Sequence, residues 1–255
     1  MNVSKRKSIY TLCAILFLLV SGNAFGSDNP PSDLLPAGLV MEEVFKPGLG
    51  GPVGRVEAVE GQVVIIHPGE LSGYLAEKDL PLFTGDTIVA LEAGRITFML
   101  NDGSTLALAS ERKLVINRSV FDPAKKSRSS YVSMSLGKAR FWVRKLSDFK
   151  RSVFNVKTPT ATCGIRGSDF LASVTANRTE ITALGKTRLE VRRLAFPEKQ
   201  SIVVKDNAYC SICGWERAVV VEGVLWKEII PPQEVKEMKR LFKDPSGGWD
   251  RRKQS

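Results

Sequence analysis

Few residues of this 255-residue chain could do chemistry. His67 is its one histidine, so a Ser-His-Asp or Cys-His site would have to use it as the base. Followed by Pro68, it reads instead as an exposed turn residue, and no serine stands in a Gly-x-Ser-x-Gly setting. Cys210-Ser211-Ile212-Cys213 is the serious enzymatic candidate, because two thiols at this spacing can exchange disulfides. Such a redox pair normally opens a helix after a strand. Here it falls between the strand-like runs Val203-Val204 and Val219 to Val221, with Gly214 next, which predicts a hairpin tip closed by a local Cys210–Cys213 disulfide. No histidine follows Cys213, so covalent haem attachment is not indicated. Zinc would need Cys163, Cys210, Cys213 and a fourth ligand. Gly185-Lys186-Thr187 resembles the end of a phosphate-binding loop, but Glu180 stands where that loop needs a glycine. The expectation is a chain with no catalytic residues, no cofactor and no metal.

The elements that would carry these residues begin after an export signal. Lys5, Arg6 and Lys7 precede an apolar run from Ile9 to Val20, and small residues follow up to Gly26. That is the layout of a secretory signal peptide, with the cut predicted after Gly26. The run is shorter than the roughly 20 residues that span a bilayer; an uncleaved signal anchor is the alternative. Cleavage would remove three basic residues and no acidic one, lowering the formal charge from +10 to +7. In an exported chain this excess serves solubility and weak, salt-sensitive attraction rather than nucleic-acid binding. Residues 27–53, with five prolines and Gly48 to Gly51, read as a leader.

From Gly54 on, the pattern is short alternating runs: Ile96, Phe98 and Leu100; Val132, Met134 and Leu136; Phe154 and Val156; Ile181 and Ala183; Leu189 and Val191. Period two means one buried and one wet face. Thr84-Gly85-Asp86, Asn101-Asp102-Gly103 and Leu136-Gly137 supply the turns between them. The fold class predicted is all-β: a β-sandwich or rolled antiparallel sheet stack. One amphipathic helix is expected over 231–243, with Pro231 and Pro232 in its first turn and Val235, Met238, Leu241 and Phe242 on one face. Residues 192–230 read as a β extension carrying the cysteine pair, and 244–255 as a basic tail.

Read in order, several landmarks line up: Gly85-Asp86 feeding a strand; Asp102-Gly103 in a hairpin; Gly137 in Leu136-Gly137-Lys138-Ala139-Arg140-Phe141; and Thr158-Pro159 running on to Gly164-Ile165-Arg166-Gly167-Ser168-Asp169-Phe170. This order resembles the FecR domain of bacterial envelope proteins over about Gly54 to Val191. Ser168 stands where the family usually has threonine, and Cys163 is not part of its pattern. Thr158-Pro159 can end a strand, because proline cannot donate to a ladder. Gly164 and Gly167 permit a tight turn, and Arg166 is expected to bond backbone carbonyls or a carboxylate and so hold two turns together. The rival role for Arg166 is gripping a ligand anion.

FecR proteins relay an outer-membrane signal to a cytoplasmic sigma factor through a cytoplasmic helical segment, one membrane span and this periplasmic domain. With neither helical segment nor span read here, the sigma-factor step is not carried over. The resemblance implies a monomeric periplasmic or secreted domain that binds an envelope protein or a cell-wall polymer, not nucleic acid, and is not an enzyme. A signal-anchored FecR-type regulator is the runner-up. A periplasmic thiol oxidoreductase or metal-binding protein using Cys210 and Cys213 is a third reading.

Overall fold

The alternating runs form strands. The structure is a computed structural model and describes residues 34–213 except Lys186, Gln200 and Asp206, together with the backbone of Val219–Val221. The signal peptide, the helix expected over 231–243 and the basic tail lie outside the described residues. Numbered in chain order, the first nine strands are β1 Val40–Glu42, β2 Gly54–Glu60, β3 Val63–Ile66, β4 Ser72–Leu75, β5 Pro81–Leu82, β6 Thr87–Ala90, β7 Arg95–Leu100, β8 Thr105–Leu108 and β9 Arg112–Asp122. There follow β10 Ser127–Val143, β11 Arg151–Lys157, β12 Ala161–Ile165, β13 Ser168–Val174, β14 Arg178–Ala183, β15 Arg188–Arg193, β16 Ile202–Lys205, β17 Tyr209–Cys213 and β18 Val219–Val221. No helix occurs among the described residues.

Hydrogen bonding arranges these strands in two layers that share β10. One layer runs β1-β4-β3-β6-β9-β10-β11-β12-β15-β16. The other runs β5-β2-β7-β8-β10-β13-β14-β17-β18. Their inward positions make one core, in which Phe98, Phe141, Phe154 and Phe170 are fully buried and the Phe141 and Phe170 rings stack 4.9 Å apart. A sandwich of this kind buries the period-two positions of both layers.

The sheet is mixed rather than wholly antiparallel, because β1 pairs with β4 and β10 with β11 in parallel. For the second of these pairs the reason lies in β10. Its first part pairs with β9, and after Gly137 it pairs with β8 and β13 in the other layer. Gly137 has φ +103, and a Cβ there would fall 1.3 Å from Arg112 Cδ, so only glycine fits this crossing. The strand thereby doubles back, and Arg128 near its start reaches the carbonyl of Arg144 just past its end at 2.9 Å. A short connection then suffices to lay β11 parallel to β10, where a parallel pair ordinarily needs a long crossover.

The stretch read as a leader is partly built into the sheet. β1 lies within it, and Leu34, Leu35 and Leu39 cover Val64, Ile66 and Val89 on the outer side of β3 and β6. Those two strands are thus buried on both faces, which is why Val63-Val64-Ile65-Ile66 reads as an unbroken apolar run. β16, β17 and β18 continue the same two layers beyond Val191.

Candidate functional site

Three segments remote in sequence meet at Arg128. Asp102, at the β7–β8 hairpin, accepts the Ser104 N–H through Oδ1 at 2.8 Å and the Arg128 Nη1–H through Oδ2 at 3.0 Å. Arg128 Nη1 also donates to the Arg144 carbonyl, and Nη2 donates to Ser152 Oγ at 2.7 Å. The guanidinium lies 5.6 Å from the centre of the Phe154 ring. Both charged side chains are 0% exposed. Burial pulls the Arg128 pKa below its usual value against the opposing pull of Asp102. Asp102 was expected at this hairpin; Arg128 was not, because it begins a Ser-rich stretch that reads as a wet face. The signal was present, since Arg128 and Ser130 continue inward the alternation of Val132 and Met134.

Above this hub the Thr158-to-Ser168 motif shapes a groove of about 560 Å³. Ser152, Asn155, Gly164, Arg166, Arg188, Glu190 and Lys145 are among its lining residues. Ser152 is thus both groove wall and Arg128 acceptor, so the buried ion pair fixes the wall. Gly167, at φ +121, lets the turn approach Lys145, whose Cα would lie 2.7 Å from a Cβ added there. Gly164 leaves the floor open: an added Cβ would meet nothing nearer than Asn155 Oδ1 at 3.6 Å. Thr158 Oγ1 bonds Thr179 Oγ1 at 2.7 Å and accepts the Ala161 N–H, closing the turn that exposes Pro159. Ser168 Oγ donates to the Arg188 carbonyl at 2.8 Å. Asp169 takes a two-pronged bond from Arg140 at 2.9 and 2.8 Å.

Arg166 does not play the clamp expected of it. It is exposed, and among the described residues no hydrogen bond or ion pair holds it. The inter-turn clamps are Arg128 and Arg140 instead, because they sit on strands next to buried carboxylates whereas Arg166 stands at a turn crest. Lys145, Arg166 and Arg188 therefore present three exposed cations to a groove whose one lining carboxylate is Glu190. Such a surface attracts an anionic ligand by summed potential, without deep burial of charge.

Gly85 and Asp86 build a different place. His67 is 3% exposed, not an exposed turn residue. Its Nδ1 lies 2.7 Å from Asp86 Oδ1, and its Nε2 donates to the Lys46 carbonyl at 2.8 Å. Asp86 Oδ2 accepts the Phe83 N–H at 2.7 Å. Phe45, Tyr74 and Phe83 surround the imidazole at 5.7, 5.3 and 5.6 Å between ring centres. Burial opposes a charged imidazole, but the bonds to Asp86 and to the Lys46 carbonyl outweigh it and raise the His67 pKa. Burial raises the Asp86 pKa. The sequence hid this because the segment that buries His67 comes from the leader.

The cysteine pair is not a hairpin tip. Cys210 and Cys213 lie on one strand, β17, with Cys210 buried and Cys213 partly exposed, and all three cysteines after residue 34 are free. Three residues along a strand span about 10 Å and end on opposite faces, beyond the reach of a disulfide. Burial pushes the Cys210 thiol up to about 11 and Cys163 up to about 12, the reverse of what thiol exchange requires. Among the described residues no group of three His, Cys, Asp or Glu side chains could hold a metal ion, and no helix is long and apolar enough to cross a membrane.

Residues 86–191 match the family model described as FecR protein. This part of the chain, which holds both the Arg128 hub and the groove, is a FecR domain. The expected range began at Gly54; the match begins at Asp86, although β2 to β5 belong to the same two layers. No curated protein matches the chain. Two crystal structures of a proposed anti-sigma factor from Parabacteroides distasonis ATCC 8503 are similar to it, each at 16% identity. They give TM-scores of 0.43 and 0.44, covering 62% and 63% of this chain and 74% and 78% of theirs. A structure described as a cell surface anchoring domain is similar over 25% of this chain and 83% of its own, at 19% identity and a TM-score of 0.24.

Proposed function

We propose that this chain is an exported, FecR-type regulatory protein of the bacterial envelope that works by binding, and that the groove at Gly164-Ile165-Arg166-Gly167 is where it takes hold of an acidic segment of an envelope partner. The observation that carries this is the placing of three exposed cations, Lys145, Arg166 and Arg188, around an open groove inside the FecR-matched residues. An exposed arginine with no partner among the described residues, standing beside the positive-φ Gly167, suits contact with another molecule better than support of its own fold. Catalysis is the weaker reading. The one histidine has both ring nitrogens engaged, one by Asp86 and one by the Lys46 carbonyl, so neither is left to take a substrate proton.

The test is photo-crosslinking in the native cell, with the crosslinker placed at Asn155 on the groove wall, followed by mass spectrometry. One envelope protein should be recovered, through an acidic segment, and a Lys145→Glu, Arg166→Glu, Arg188→Glu chain should lose it while keeping its thermal midpoint. Recovery of the same partner by the reversed chain, or of wall polymer alone, would overturn the reading.

A further inference from the structure

A second cavity, of about 670 Å³, lies between the segment around β1 and the β3–β4 region, with Leu91 as the one lining residue inside the FecR-matched range. Its volume falls in the range of small-ligand sites. Phe45, Tyr74 and Leu80 contribute to an apolar lining, and Glu42, Glu43 and Glu77 bring three carboxylates. No lysine or arginine lines it, although the chain carries a formal charge of +10. Glu42 is engaged by Lys46 at 3.2 Å, whereas Glu43 and Glu77 are exposed and have no ion-pair partner among the described residues.

An independent observation concerns a polar group in the cavity lining. Tyr74 is 2% exposed, yet its hydroxyl has no hydrogen-bond partner among the described residues. Buried hydroxyls are nearly always paired, and leaving one unpaired is costly. The phenol is held in place by Phe45, edge-on at 5.2 Å, and by His67 at 5.3 Å between ring centres. A polar group entering the cavity can therefore pair with a hydroxyl to which no described residue is bonded.

We infer that this cavity is a binding site for a small organic cation: one ammonium group on an apolar stem. The stem displaces water from the apolar lining, the aromatic rings favour a cation over a neutral head, and Glu43 and Glu77 set the sign of the charge. A bare metal ion does not fit the chemistry, since hard cations need several oxygen ligands at one point and the lining is largely apolar.

The experiment titrates the full chain by calorimetry with 4-phenylbutylammonium, and with 4-phenylbutanoate as the same stem bearing the opposite charge. The ammonium probe should saturate one site and the carboxylate probe should not bind. In the Glu43→Gln, Glu77→Gln chain the ammonium affinity should fall about tenfold or more, as expected when two carboxylate contacts are lost. Tyr74→Phe, which removes only the hydroxyl, should weaken it about threefold to tenfold at an unchanged thermal midpoint. Equal binding of the two probes, no saturation by the ammonium probe, or undiminished binding by the double glutamine chain would overturn the inference. None of these outcomes touches the basic groove, which binds by opposite charge on other residues.

Discussion

Arg128 and Asp102 are two opposite charges taken wholly out of water, and their bonds to Ser104, Arg144 and Ser152 are what make that tolerable. Asp102→Ala leaves the guanidinium buried and uncompensated, so urea unfolding should show a loss of about 3–5 kcal/mol. Arg166→Ala, by contrast, removes an exposed side chain with no partner among the described residues and should change stability by less than about 0.5 kcal/mol. His67 sets a pH limit of its own. A carbonyl only accepts, so Nε2 carries a hydrogen, and the short Nδ1–Asp86 contact then holds one shared proton. Both members have raised pKa values, so folding takes up a proton, and Glu70 adds to the raising. The stabilisation is complete below the ordinary histidine value of 6.5 and is lost as pH rises through the raised folded value. Thermal midpoints measured from pH 6 upward should fall in the native chain and fall less in His67→Phe; parallel curves would remove the histidine from the account. Among these residues Asp86 and Asp102 were legible as turn carboxylates, but their partners were not. A turn motif fixes only local geometry, and Arg128 and His67 reach it from 26 and 19 residues away.

Strands were the most legible element, because the inward positions of β7, β10 and β15 repeat the period-two pattern the residues display. Parallel pairing was not legible, since it depends on a long strand doubling back at Gly137, and a glycine in an alternating run reads equally as a turn between two strands. The same ambiguity misplaced the cysteine pair: Tyr209-Cys210-Ser211-Ile212-Cys213 is itself an alternating strand with Cys210 and Ile212 inward. Strand geometry therefore predicts the thiol chemistry. In the native state one thiol, Cys213, should react with a maleimide within minutes, while Cys163 and Cys210, both 0% exposed, should react only after denaturation. Mass spectrometry of the labelled peptides reads this directly. A linked Cys210–Cys213 peptide would show that β17 is not the strand described.

At the scale of the molecule, the two layers hold two openings of opposite character: a basic groove within the FecR domain and an acid-lined cavity toward the N-terminal segment. Charge alone does not make the groove a site, since an exposed basic surface attracts any polyanion in low salt. A site needs shape as well, and Gly164 is where shape and charge separate. It lies in the middle of β12, paired with Asn155 and Glu190, and a Cβ there meets no atom nearer than 3.6 Å. Gly164→Val should accordingly be accepted by the fold, with stability unchanged or raised by up to about 1 kcal/mol, because valine suits a strand better than glycine. It should nevertheless fill the groove floor while leaving Lys145, Arg166 and Arg188 untouched. If the partner is recognised by a fitted segment, Gly164→Val abolishes its crosslinking as fully as the triple charge reversal does. If crosslinking persists in Gly164→Val and vanishes only on charge reversal or in high salt, recognition is by potential alone and the groove is no more than the surface over which that potential is spread.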